Sequence, residues 1–81
     1  MNAQQHRDEA ARLMQRSRTY TELAELAQTR ANELDTWGQN ARADYHRSNA
    51  RLHTATANTC RLEAYRHLTD AMTLEEHPNA I

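Results

Sequence analysis

Apolar or small side chains recur along the first half of the chain at Ala10, Leu13, Ser17, Tyr20, Ala24, Ala27, Ala31 and Leu34, in alternating steps of three and four. Such steps average about 3.5 residues, the period of a helix that turns one narrow seam toward a partner helix. The second half repeats the device more strictly. Ala43, Ala50, Ala57, Ala64 and Ala71 stand at every seventh position, and three residues after each come His46, His53, Cys60, His67 and Leu74. The first half likewise has a small column (Ala10, Ser17, Ala24, Ala31) and a mostly larger one (Leu13, Tyr20, Ala27, Leu34). Small set against large, layer by layer, lets helices approach closely while the space between them stays filled. The pattern predicts two long helices that pair in a coiled-coil manner.

The boundaries follow from capping chemistry. Asn2 is suited to cap a helix starting near residue 2, and Asp8 and Glu9 lie toward its positive end. Gly38, the only glycine, sits where a helix ending near residue 36 needs a left-handed residue, and Asn40 is placed to cap the next helix. The expected organisation is a single domain with helix 1 over about 2–36, a turn over 36–40, helix 2 over about 40–76 and a tail over 77–81. Pro78 ends the second helix in this reading, and Asn79, Ala80 and Ile81 fray. Three rival parses remain. Thr36-x-x-Gln39 as a capping box shifts the turn, one unbroken helix runs through Gly38, and a break at Thr19-x-x-Glu22 makes three helices.

Charge selects among them. Residues 1–20 carry four Arg and two acids, 21–38 one Arg and four acids, 39–69 five Arg and two acids, and 70–81 three acids. Folding back at Gly38 sets each positive block against a negative one, so the expected architecture is an all-α antiparallel helical hairpin with an Ala-rich seam. The composition excludes a β-sheet fold: the chain has no Val and no Phe, one Gly and one Pro, while 14 of its 81 residues are Ala. Leu and Ile together make only nine residues, too few for one hairpin to stand easily on its own core.

Apolar residues also fall outside the seam. Leu23, Leu26, Tyr45, Leu52 and Leu62 form the expected self-association face, which two hairpins would bury as a dimeric four-helix bundle. Arg12 with Arg16, and Arg47 with Arg51, are i,i+4 pairs that make short basic ridges, and they are candidate partner-binding residues together with Trp37 at the turn. The bland alternatives are a solvated face with cross-helix ion pairs to Glu22, Glu25, Glu33 and Asp35, and a Trp that lids the bundle end. The net charge of −1 supplies no general attraction to nucleic acid.

No catalytic, cofactor or metal site is expected. His46, His53, Cys60 and His67 lie one heptad apart, about 10.5 Å along a helix, whereas zinc ligands converge within about 2.0–2.3 Å of one ion. They are read as filling the larger side of the seam. Cys60 has no His within reach on its own helix to activate it, and one Gly cannot build a phosphate-cradling loop. Met1 to Glu9 hold no apolar signal core, no apolar run nears the roughly 18 residues of a membrane span, and Cys60 is alone. A cytoplasmic protein without membrane contact is the expectation.

The layering in a short hairpin resembles the Rop-type RNA-binding bundles of plasmids, in which two hairpins form a four-helix dimer. The likeness is one of pattern, and it implies the same dimer and, as an alternative function, RNA or DNA binding. The stretch Ala50-Arg-Leu-His-Thr-Ala-Thr-Ala57 is similar to small, function-unknown helical proteins of actinobacteria and their phages, and ten Arg beside no Lys fits a GC-rich source. Secreted hairpins with a Trp-x-Gly turn differ, because Trp37 and Gly38 are adjacent and Tyr65 is followed four residues on by Thr69. The functional expectation is a small, non-enzymatic protein–protein interaction or regulatory module of bacterial or phage origin.

Overall fold

The computed structural model describes residues 1–77, so the helix end expected at Pro78 and the fraying expected at Asn79, Ala80 and Ile81 lie outside the described residues. Two α-helices account for nearly all of them: α1 (Ala3–Thr36) and α2 (Asn40–Glu76), of 34 and 37 residues. They run antiparallel as a rod of 63 × 14 × 14 Å, an all-α helical hairpin.

The caps explain where α1 starts and stops. Asn2 accepts from the Gln5 amide at 2.8 Å while the Gln5 side chain accepts from the Asn2 amide at 2.8 Å, a reciprocal capping box. At the other end Gly38 has φ 75°, its amide reaches Asp35 O at 3.0 Å, and the Gln39 amide reaches Leu34 O at 2.8 Å. That pair of bonds is the Schellman arrangement, which closes orphan carbonyls with a left-handed glycine. Two expectations fail here. Asn40 is the first residue of α2 rather than its cap, and Gln39 occupies the cap position without a side-chain cap bond. Thr36 makes no capping box with Gln39, because its hydroxyl donates back to Asn32 O at 3.0 Å.

The break considered at Thr19 does not occur. Thr19 Oγ1 donates to Gln15 O at 3.2 Å and Thr21 Oγ1 to Ser17 O at 3.0 Å, so α1 runs unbroken. Thr54, Thr56, Thr59, Thr69 and Thr73 bond backward four residues in the same way. A hydroxyl that could have capped a new helix is thus absorbed by the existing one.

The seam follows the two columns, but its layers sort differently from the expectation. Small faces small: the buried Ser17 hydroxyl donates across to Ala57 O at 2.9 Å, and Ala31 packs in one buried cluster with Ala43 and Leu34. Large faces large: the Tyr20 and His53 rings lie 5.7 Å apart, and those of His6 and His67 5.1 Å apart. Small layers bring the backbones close enough for a one-carbon hydroxyl to reach a carbonyl, and large pairs fill the intervals between them. Every member of the Ala column of α2 is buried, whereas His46, His53 and His67 are only half-buried. The seam also extends one heptad further than the Ala10 start, because Ala3 and His6 are half-buried at the next two positions of the series.

Candidate interaction surface

Helix geometry divides the outside of the rod into two sides. Residues four places after a small-column member flank the seam on one side; residues one place before a small-column member flank it on the other, and those one place before a large-column member lie further out on that same side. On the small side, Arg7 pairs with Glu75 and Arg47 with Asp35 across the seam. Each bridge joins one pair of the opposed charge blocks, one near the open end and one near the turn. Of the other expected acidic partners, Glu33 pairs within α1 with Arg30 at 3.2 Å, and Glu22 and Glu25 make no ion pair among the described residues.

On the large side no ion pair crosses among the described residues. Leu26, Tyr45 and Leu52, which precede Ala27, His46 and His53, lie outward of the seam edge on this side, about 130° round the helix from the seam, and are 66%, 65% and 66% exposed. Leu23, one place before Ala24, flanks the seam on this side and is 39% exposed. These four of the five expected self-association residues form one apolar face near the turn. Leu62 is exposed but, five residues after Ala57, points almost directly away from α1. Tyr65, Leu68 and Met72 form a second exposed strip, toward the open end on the small side, where Leu68 lines a recess with Met14, Ala11 and Arg18. That strip was readable too, since Tyr65 and Met72 each follow an Ala-column residue and are seven apart.

The arginines are mostly engaged. Arg12 hydrogen-bonds Glu9 at 2.7 Å, and that bond and the neighbouring negative charge raise its pKa above the ordinary arginine value. Arg16 lies 5.6 Å from the Tyr20 ring centroid. Arg47 holds Asp44 at 2.9 Å besides Asp35, and Arg51 is exposed with no ion pair among the described residues. The i,i+4 ridges therefore present fewer free charges than the sequence suggests. Trp37 is the C-cap residue of α1, 60% exposed, with the Arg30 guanidinium 5.6 Å from its ring.

The histidine column packs as layer filler. His46 sits edge-on to Tyr45 at 5.4 Å, His53 lies against Tyr20, and the Cys60 thiol is buried. His67 instead meets His6 of the opposite helix, Nδ1 to Nδ1 at 2.9 Å. His6 is absent from the sequence-based site because the seam was started at Ala10; the three-four alternation carried back to Ala3 and His6 would have found it. Among the described residues no three His, Cys, Asp or Glu side chains gather as a metal-holding group, and no helix is long and apolar enough to cross a membrane. No protein-family model, curated protein or solved structure matches the chain.

Proposed function

We propose that the hairpin is a small, non-enzymatic protein–protein interaction or regulatory module that works as a dimeric four-helix bundle. One observation carries this reading: the large apolar side chains are outside and the small ones inside. Leu34, 1% exposed, is the only large side chain fully buried among the described residues, whereas Leu26, Tyr45 and Leu52 are about two-thirds exposed. Covering a leucine is worth about 1.5–3 kcal/mol, against about 0.8 for an alanine methyl. Large apolar side chains left two-thirds in water outside a seam of mostly small ones fit a protein surface waiting for a partner. A second hairpin laid on the large side would cover Leu23, Leu26, Tyr45 and Leu52 without breaking the two bridges on the small side. A Rop-like nucleic-acid role has less support, since Arg12 and Arg47 are tied to acids and Arg16 rests on Tyr20.

Sedimentation equilibrium of the full chain tests the reading. A dimer is expected for the parent, and Leu26→Glu with Leu52→Glu should shift it toward monomer by at least tenfold in the dissociation constant. A monomeric parent at tens of micromolar would overturn the dimer, and an unchanged dimer in the double variant would move the interface to another face.

A further inference from the structure

The contact between His6 and His67 has a geometry that layer filling alone does not require. Their Nδ1 atoms lie 2.9 Å apart across the seam, with ring planes tilted by 39°. As neutral imidazoles, one must donate its Nδ1–H and the other accept. Two imidazole nitrogens on one tetrahedral zinc ion, each at about 2.0–2.1 Å, stand about 3.3 Å apart. The pair needs to open by only a few tenths of an ångström for a cation to replace the shared proton.

We propose that His6 and His67 form a two-histidine clamp for a borderline divalent cation such as Zn2+, pinning the start of α1 to the last third of α2. The obstacle set by the heptad spacing does not apply, because the ligands come from opposite helices at the same level of the rod. Asp70, one turn after His67, lines the same recess as His6 together with Met1, Thr73 and Leu74. No set of three ligands stands preformed among the described residues. Water completes the coordination, or Asp70 does so after a change of rotamer. The clamp is a hairpin-closing site of moderate affinity rather than a catalytic centre. Its ligands are 61 residues apart in the chain, so the unfolded state does not hold them together and metal binding feeds directly into folding. It lies within one chain and does not depend on self-association.

Thermal unfolding of the full chain, followed by far-UV circular dichroism at pH 7.5 and fixed chain concentration, tests the clamp with Zn2+ as the probe. The expected result is a rise in Tm of about 5–10 °C at saturating Zn2+, reversed by EDTA, with one Zn2+ per chain by calorimetric titration. His6→Gln and His67→Gln should each keep the helical spectrum and lose the rise, while His46→Gln and Cys60→Ser keep it. If either glutamine variant fails to fold, the titration of the parent decides alone. No rise or no binding in the parent, a rise that survives in both glutamine variants, loss in His46→Gln or Cys60→Ser, or one Zn2+ per two chains would each overturn the proposal.

Discussion

The two columns of the seam lie three residues apart on the same helices, yet they settle different properties of the rod. The small column, exemplified by Ala57 against Ser17, is buried throughout α2 and sets how near the two backbones come. The large column, exemplified by His53 against Tyr20, is buried at Leu34 and Cys60 but elsewhere only partly covered, with ring edges at the surface. The consequence reaches the outside. Where the small layers bring the helices close, residues one turn further on bridge them, as Arg7 does with Glu75 and Arg47 with Asp35. On the large side Leu23 beside the seam and Leu26, Tyr45 and Leu52 further out remain exposed. Spacing comes from one column, and the exposed apolar face lies on the side of the other.

The sharpest way to break this comparison is to enlarge one member of each column. Ala57→Leu forces three extra carbons into a layer closed by a hydrogen bond and should cost about 1–3 kcal/mol, lowering Tm by roughly 4–8 °C for each kcal/mol. Cys60→Leu adds volume only three residues away, in a layer that borders a recess lined by Leu13 and Arg16, and should cost less than about 1.5 kcal/mol. Equal losses in urea or thermal melts would mean that the small layers do not set the spacing.

The hairpin, its turn and its antiparallel sense were legible because each rests on local, repetitive signals: the seven-residue Ala column, Gly38 alone in the chain, and the four charge blocks. Three features were not. That small faces small depends on the axial register, which the Schellman turn and the ion pairs fix together and which neither helix encodes alone. Whether Thr19 caps or back-bonds depends on competition between two partners for one hydroxyl, and the continuing seam decides it. The three-four alternation carried back to His6 places it in the seam, but its contact with His67 joins opposite ends of the sequence and depends on the register of the two helices. Leu23, Leu26, Tyr45, Leu52 and Leu62 are all exposed, but Leu62 points away from the other four, and the strip at Tyr65, Leu68 and Met72 is a second apolar surface the sequence pattern also marks.

A smaller effect sharpens the small-layer side of the comparison. Ser17 is 3% exposed and spends its hydroxyl on a carbonyl of the partner helix. Ser17→Ala removes that bond but leaves a methyl that suits the layer, and the Ala57 carbonyl still serves its own helix. The expected loss is about 0.5–1.5 kcal/mol, typical of a net hydrogen bond. A gain in stability would show that close approach is driven by methyl packing alone.

The smallest effects come from the bridges, and their difference in position makes them informative. Arg7→Gln and Arg47→Gln should each cost about 0.2–1 kcal/mol at low salt, because all four side chains remain partly in water. Their local consequences should differ. Arg47 and Asp35 flank a turn of three residues that already holds the helices together, so losing that bridge leaves the neighbouring amides protected. Arg7 and Glu75 lie at the end where no covalent link closes the rod. Without their bridge, amide exchange over the first turns of α1 should quicken several-fold. Both stability losses should fade at about 1 M salt, where screening acts over roughly 3 Å. Faster exchange at the turn than at the open end would reverse the ordering and place the weak point of the hairpin at Gly38 instead.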